Sequence, residues 1–216
     1  ISKNKIEKKD RGFFRLSVDR SFSQKGFGTI ATGSVLSGKI RVGEDVEILP
    51  KGVHAKIRGI QTHESEIEKI KIGERGAINL SNIEKNNISR GSQIIETGHV
   101  RNSQIFLANI YLNKNTNRII KHNQRIRIHI NTEEVLGRVL LFDKLKKISS
   151  GSNAKVLIKI ENAIPIVIDD LFIIRFYSPQ ETIGGGKIFI LIPINEKELY
   201  LKNIKFFYNS NSIDRL

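Results

Sequence analysis

Apolar and polar residues alternate along most of the chain, in short runs that end at glycine-rich turns. The first run covers residues 13–18, and the next, residues 29–36, ends at Ser37-Gly38 before another closes at Val42-Gly43. Alternation with a period of two, bounded by glycine, is typical of β-strands joined by tight connections. The corners of small barrels need positive φ, bulges and close backbone approach, all of which glycine permits. The glycines at 26, 28, 33, 38 and 43 are suited to such corners.

The alternation continues beyond Pro50 and predicts the rest of a first barrel over residues 13–98. Residues 64–72 are rich in charge and predict a connection, whereas residues 73–80 and 88–95 resume the strand pattern. The pattern is interrupted near Gly98, which marks the boundary. Residues 54–63 predict a long strand that has Ala55, Ile57 and Gly59 on one face and Lys56, Arg58 and Ile60 on the other.

A second series of short strands predicts a second barrel over residues 99–192. Both faces of residues 104–112 are apolar, which favours a strand covered on both sides. Turn signals separate the later strands, so we expect an all-β fold of two consecutive antiparallel β-barrels. The remaining strands are predicted over residues 125–130, 133–142, 153–160 and 171–177.

The two ends of the sequence have a different character. Residues 1–12 are charged and turn-rich, which predicts a linker from an upstream domain. Residues 193–216 predict the start of a C-terminal extension, with a helix over 195–207. Because the sequence contains no methionine, we expect it to be a piece of a longer protein.

Composition narrows the class of partner. Lysine and arginine number 36 against 22 acidic residues, a net charge of +14, which favours polyanionic partners such as nucleic acid. The abundance of lysine, asparagine and isoleucine throughout the chain offers a purely compositional explanation for the same charge. There is no cysteine and no apolar run near the roughly 20 residues that span a bilayer. We therefore expect a cytoplasmic protein without a membrane partner.

No catalytic or cofactor motif is complete. Residues 33–39 follow most of the phosphate-loop spacing, but Ile40 stands where a hydroxyl must reach Mg²⁺, and no helix is predicted after it. The five histidines show no metal-ligand spacing. We expect no enzymatic activity, no cofactor and no metal site in this chain.

Two parts of the chain resemble a known family. Residues 18–29, Val-Asp-Arg-Ser-Phe-Ser-Gln-Lys-Gly-Phe-Gly-Thr, together with residues 32–39, resemble the second domain of translational GTPases, most closely that of the selenocysteine-specific elongation factor (SelB) family. Residues 121–129, 134–139 and 175–187 resemble the barrel that follows it. The resemblance implies delivery of selenocysteyl-tRNA to the ribosome. It also implies GTP and Mg²⁺ in an upstream domain, and further C-terminal domains for the selenocysteine-insertion mRNA hairpin.

The resemblance also implies an aminoacyl pocket formed by Asp19, Arg20 and Arg75. A selenol is far more acidic than a serine hydroxyl, so two guanidinium groups would favour selenocysteine over its seryl precursor on the same tRNA. Asp19 would orient an arginine or receive the aminoacyl ammonium group. The alternative is a turn with a surface ion pair between Asp19 and Arg20 that contributes little.

A second candidate surface is a basic row in the second barrel that would contact the tRNA backbone. Strand alternation places Arg125, Arg127 and His129 on one face, at intervals of about 6.6 Å. An ordinary solvated strand face is the alternative, and the faces of Arg138 and Arg175 are not determined by the pattern. The residues assigned to the tRNA backbone are Lys121, His122, Arg125, Arg127 and His129.

Two other functions remain open from the residues alone. The same barrels occur in elongation factor Tu and in the initiation factor gamma subunit, which handle ordinary amino acids. A non-enzymatic β-barrel interaction module is the third possibility. Neutralising the charges of Asp19, Arg20 and Arg75 should leave those related factors unaffected. An interaction module should bind charged and uncharged tRNA equally.

Overall fold

The computed structural model describes residues 10–24, 26–63, 65–142 and 145–193. The predicted all-β fold is confirmed, and the chain divides into two compact units between Arg101 and Asn102. No helix in this described part is long and apolar enough to cross a membrane. The predicted helix over 195–207, and most of the predicted linker and extension, lie outside the described residues.

The strands of the first unit form a sheet in the order β4-β9-β1-β2-β8-β5-β6, and β4 also pairs with β5, which closes the sheet into a barrel. The short strands β3 and β7 pair separately as a ribbon. The elements are β1 (Arg15–Gln24), β2 (Gly28–Ser37), β3 (Lys39–Arg41), β4 (Asp45–Leu49), β5 (Val53–Thr62), β6 (Ser65–Ile67), β7 (Lys69–Lys71), β8 (Arg75–Ser81), a 3-10 turn (Lys85–Asn87) and β9 (Gln93–Ile95).

Two predictions for the first unit are corrected. Ile60 is predicted to share the face of Lys56 and Arg58, but it is buried in the core. A bulge in β5 makes Arg58 an extra residue between the pairs formed by Ile57 and Gly59, and this reverses the alternation. Residues 64–72 are predicted to be a connection, yet they contain β6 and β7, because buried Ile70 anchors the ribbon to the core.

The strands of the second unit form a closed barrel in the order β10-β15-β13-β12-β16-β17. Its interior is filled by alternate side chains, mainly isoleucine and valine. The elements are β10 (Asn102–Leu112), β11 (Ile120–Lys121), β12 (Gln124–Ile130), β13 (Glu133–Leu140), β14 (Lys147–Ile148), β15 (Asn153–Pro165), β16 (Leu171–Phe176) and β17 (Thr182–Ile192), with β11 and β14 paired separately.

The prediction that β10 is covered on both faces holds for only part of the strand. Ile105 and Leu107 are buried with Leu157 in a small cluster distinct from the main core. Farther along the same face, Asn109 and Tyr111 are exposed. Apolar residues on both faces therefore predict two-sided burial correctly only at the start of the strand.

Candidate functional site

A β-bulge in β1 forms the first part of the site. Val18 pairs with Gly33 of β2 and Arg20 pairs with Thr32, so Asp19 is an extra residue between these two pairs. The insertion changes the alternation of the strand. Val18 is fully buried, whereas Asp19 is half-buried and Arg20 is exposed.

Two glycines allow the strands to approach closely beside this bulge. A Cβ atom on Gly33 would lie 2.1 Å from the carbonyl oxygen of Ser17, and one on Gly76 would lie 2.6 Å from Cδ1 of Ile70. Gly33 and Gly76 are cross-strand partners in β2 and β8. The close approach therefore depends on the absence of a side chain at both positions.

Arg75 begins β8, and its side chain crosses the intervening strand β2 to reach Asp19 on β1. Its Nη2 donates to Oδ1 of Asp19 at 3.0 Å, and its Nη1 donates to Oδ2. Thr32, on the intervening strand, donates its hydroxyl to Oδ1 of Asp19 at 3.0 Å. Two parallel bonds between a planar guanidinium and a carboxylate fix the orientation of the arginine.

The charges of this pair stabilise each other. The hydrogen bond from Arg75 lowers the pKa of Asp19 below its ordinary value of 3.8, although burial opposes the change. In return, Asp19 raises the pKa of Arg75. The side chain of Arg75 is 59% exposed and that of Asp19 only 26%. Asp19 therefore acts as the support, and Arg75 retains surface for a ligand.

Arg20 lies beside this pair without joining it. Its positive charge contributes to the lowered pKa of Asp19, so its guanidinium is within electrostatic range of that carboxylate. No hydrogen bond or ion pair engages the Arg20 side chain within the part of the chain that the structure describes. The structure thus brings Asp19 and Arg75 into contact, and it leaves Arg20 as an exposed cation next to them.

A groove of about 370 Å³ lies close to Arg75. Gln61 and Ala77 line both this groove and a shallow depression that is bordered by Thr32 and Arg75. Phe27, 49% exposed, contributes an aromatic ring to the groove. The sequence analysis did not predict the groove. The signal that could have indicated it is a phenylalanine between two glycines in a polar turn.

Asn79 adds a polar feature to the groove. Its Oδ1 atom is buried and accepts no hydrogen bond in the described part of the protein. A buried acceptor without a donor is costly, and a ligand N–H group would relieve that cost. The groove therefore combines an aromatic ring with an unsatisfied acceptor.

The basic row of the second barrel shows the predicted alternation. Ile126, Ile128 and Ile130 are buried in the interior, whereas Arg125, Arg127 and His129 face outward and are half-buried. Cross-strand partners share a face. Arg138 pairs with Arg125 and Arg175 pairs with Arg127, so both extra arginines lie on the outer face with the row.

The row is partly neutralised by carboxylates. Arg125 donates from Nη2 to Oε1 of Glu161 at 2.7 Å. Arg127 donates to Oε1 of Glu134, and Nε2 of His129 lies 3.7 Å from the other oxygen of that carboxylate. An incoming polyanion would have to compete with these two carboxylates.

Tyr177 organises the two arginines of the row. The guanidinium carbons of Arg125 and Arg127 lie 4.5 and 5.4 Å from the centre of its ring. Tyr177 is 36% exposed. Sequence reasoning did not assign Tyr177 to the site, although it stands two residues after Arg175 at the end of a predicted strand.

Lys121 and His122 belong to a different local structure. Lys121 is exposed in β11, where it pairs with Lys147 of β14. Nδ1 of His122 lies 3.2 Å from both the backbone nitrogen and the carbonyl oxygen of Leu141. The His122 ring is thus held by the backbone that follows β13, whereas the Lys121 side chain is exposed.

Comparison with known proteins identifies both units. Residues 28–95 match the family model Elongation factor Tu domain 2, and residues 107–194 match that of the selenocysteine-specific elongation factor, β-barrel domain. A selenocysteine-specific elongation factor from Desulfomicrobium baculatum is 33% identical over 175 residues, which cover 81% of this chain and 27% of that protein. The chain therefore spans about a quarter of the length of this curated relative. The first unit therefore belongs to the elongation factor Tu domain 2 family, and the second unit belongs to the β-barrel domain family of selenocysteine-specific elongation factors.

Proposed function

We propose that this chain is the tRNA-binding part of a factor that delivers selenocysteyl-tRNA to the ribosome at recoded UGA codons. The arrangement of Arg75, fixed by Asp19 and flanked by Arg20, is the observation that carries the proposal. It places one oriented guanidinium and one exposed guanidinium on the same surface of a rigid barrel.

The selectivity of this site rests on charge. A selenol loses its proton at neutral pH, whereas a serine hydroxyl keeps it, so only the selenocysteyl group presents an anion to Arg75 and Arg20. A hydrogen bond to a charged group contributes about 1.5 to 3 kcal/mol. One such contact separates the two aminoacyl groups by a factor of about ten to a hundred, and a second increases that factor.

The neighbouring groove suits the terminal nucleotide of the tRNA. Phe27 offers a surface on which a base stacks, and base stacking on an aromatic ring contributes about 1 to 3 kcal/mol. The buried Oδ1 of Asn79 would accept a hydrogen bond from an exocyclic amino group. Because the groove and the Arg75 depression share Gln61, a nucleotide there would carry its aminoacyl group toward Arg75.

The second barrel would hold the double-stranded part of the tRNA. Lys121, Arg125, Arg127, Arg138 and Arg175 offer cations to a phosphate backbone, and double-stranded RNA is recognised mainly through its shape and backbone. His122 and His129 would contribute at the edges of this surface. These interactions are independent of the aminoacyl group.

The remaining functions belong to the proposed longer protein. An upstream domain would bind GTP and Mg²⁺ and control the affinity for tRNA, and C-terminal domains would bind the selenocysteine-insertion mRNA hairpin. The chain itself would have no enzymatic activity, and the factor would act in the cytoplasm.

The test compares three forms of one tRNA: selenocysteylated, serylated and uncharged. We expect filter binding to rank them in that order, with selenocysteyl-tRNA at least about tenfold tighter than seryl-tRNA. Equal binding of the two aminoacylated forms, both tighter than uncharged tRNA, would instead indicate a pocket of the elongation factor Tu or initiation factor gamma type. Equal binding of all three would indicate an interaction module that does not recognise the aminoacyl group.

A further inference from the structure

We propose that the ribbon formed by β3 and β7 is a second RNA-binding surface, which contacts phosphates independently of the aminoacylated end. Its four outward side chains are Lys39, Arg41, Lys69 and Lys71, and we refer to them as the cationic ribbon. The proposal goes beyond the proposed function, because it requires no aminoacyl group and no residue of the aminoacyl pocket.

The ribbon separates its apolar and charged residues completely. Ile40 and Ile70 are cross-strand partners, and both are buried in the core of the first barrel. Lys39 pairs with Lys71 on one side of them, and Arg41 pairs with Lys69 on the other. All four cations are exposed. Strand geometry puts paired side chains about 5 Å apart and successive outward ones about 6.6 Å apart.

The two arms of the ribbon repeat one short motif. Residues 39–44 read Lys-Ile-Arg-Val-Gly-Glu, and residues 69–74 read Lys-Ile-Lys-Ile-Gly-Glu. In each arm the glutamate closes a turn on its own strand: Glu44 accepts the N–H of Arg41 at 3.1 Å, and Glu74 accepts that of Lys71 at 2.9 Å. The repeated carboxylates are therefore committed to the backbone of the turns.

Ion pairing within the described residues does not explain the four cations. No carboxylate in this part of the chain lies within 4.0 Å of any of their charged nitrogens. Like charges placed directly opposite each other destabilise a β-ladder, and here two successive pairs are both cationic. The fold needs only the buried isoleucines from this ribbon, so the cations point to an external polyanion.

A phosphate backbone fits this surface better than an acidic peptide does. The apolar residues of the ribbon, Ile40 and Ile70, face inward, so all of its outward side chains are cationic. Phosphates repeat regularly, and their neutralisation by lysine and arginine releases condensed counterions. The ligand class is therefore structured RNA, read through its backbone.

The test uses a blunt-ended RNA duplex, which lacks a single-stranded acceptor end and so cannot engage the aminoacyl pocket. The ribbon variant carries Lys39→Gln, Arg41→Gln, Lys69→Gln and Lys71→Gln. The control carries Lys51→Gln, Lys85→Gln, Lys114→Gln and Lys146→Gln, which remove the same charge from exposed positions elsewhere. Dissociation constants are measured over a range of salt concentrations.

We expect the ribbon variant to bind the duplex about tenfold to a hundredfold more weakly than the unmodified chain at low salt. The slope of log affinity against log salt should fall by about one for each phosphate that the variant no longer neutralises. Equal reductions of affinity in the ribbon and control variants would overturn the proposal. Displacement of the duplex from the ribbon by polyglutamate at equal charge concentration would also overturn it, because it would indicate an acidic peptide as the ligand.

Two further measurements separate this proposal from folding effects and from the proposed function. Thermal unfolding should show the ribbon variant at least as stable as the unmodified chain, since like-charge repulsion is removed. If the fourfold variant is unstable, the double variant Lys39→Gln with Lys71→Gln is measured instead in the same binding assay. The ribbon variant should keep its preference for selenocysteyl-tRNA over seryl-tRNA, so failure of either proposal leaves the other intact.

Discussion

At the scale of single residues, the site depends on where one insertion falls in β1. The bulge at Asp19 turns that carboxylate outward beside Arg20, and Arg75 then has an anchor two strands away. An arginine held by two bonds to a carboxylate loses little further entropy when it binds an anion. The Asp19–Arg75 pair is therefore better suited to recognition than to stability, since an exposed ion pair contributes at most about 1 kcal/mol.

Replacement of Arg75 by lysine tests this orientation. Lysine keeps the positive charge but has no planar fork to match the Asp19 carboxylate. We expect Arg75→Lys to reduce the preference for selenocysteyl-tRNA over seryl-tRNA about tenfold, measured as the ratio of dissociation constants. Arg101→Lys, at another exposed arginine of the same unit, is the control and should leave the ratio unchanged. An unchanged ratio in Arg75→Lys would contradict the role given to the guanidinium.

Gly33 permits a sharper test of the bulge, because the chain offers a matched glycine. A Cβ at Gly33 would meet the backbone of Ser17, whereas a Cβ at Gly59 would meet nothing within 4 Å. We expect Gly33→Ala to lower the free energy of unfolding by about 2 kcal/mol or more, and Gly59→Ala by less than about 0.5 kcal/mol. Urea titration measures both values. Similar decreases in the two variants would show that the close approach at Gly33 is unimportant.

Bulges also mark the limit of what residue patterns predict. Alternation alone places Ile60 on the outer face, because an inserted residue changes the phase of every later side chain in the strand. An insertion depends on the partner strand, which the sequence of β5 does not contain. The proximity of Asp19 to Arg75 likewise arises from the order of the strands. It was predicted from the family resemblance and not from the alternation of apolar and polar residues.

At the scale of elements, β12 shows how a charged strand face is built. Its inward isoleucines were predictable from strict alternation, and so was the outward position of its cations. The partners of its cations were not predictable, because they come from other strands: Glu134 from the neighbouring strand β13, Glu161 from β15 beyond it, and Tyr177 from the segment after β16. The face is thus a network of cations and carboxylates arranged around one ring, and an RNA backbone would replace the carboxylates.

The double change Arg125→Gln and Arg127→Gln tests whether this face binds RNA. We expect the affinity for tRNA to fall about tenfold, by the same factor for aminoacylated and uncharged tRNA, because the change removes only interactions with the RNA backbone. Filter binding at fixed salt measures the effect. The control pair Lys114→Gln and Lys146→Gln removes equal charge. Unchanged affinity in the Arg125 and Arg127 variant would identify the row as a solvated strand face.

At the scale of the whole molecule, the all-β class and the division into two units followed from the sequence, since both depend on local alternation and turns. The groove beside Arg75 did not follow, because its walls come from residues far apart in the chain, such as Phe27, Gln61 and Asn79. Residues 64–72 were equally difficult: their charges suggested a connection, and only the burial of Ile70 reveals the ribbon.

Acid should destabilise the folded chain through its aspartates. Hydrogen bonds from the backbone of Gly12 and Gly38 lower the pKa of Asp10 below 3.8, as Arg75 does for Asp19. The folded state then binds fewer protons than the unfolded state, so this stability is complete above 3.8 and is lost as pH falls through the lower folded-state values. Urea unfolding between about pH 6 and pH 3 should show the decrease. Asp10→Asn with Asp19→Asn should flatten it, and an equally steep profile in that variant would contradict the assignment.

The closed ring of the second barrel has a consequence for how that unit opens. Each strand of the ring hydrogen-bonds to a neighbour on both sides, so there is no edge strand at which separation of the strands could begin. Local fraying must then begin in the connections, and removal of one strand breaks two ladders at once. Slow amide hydrogen exchange should therefore be distributed evenly around β10, β12, β13, β15, β16 and β17, without the graded protection that open sheets show from centre to margin.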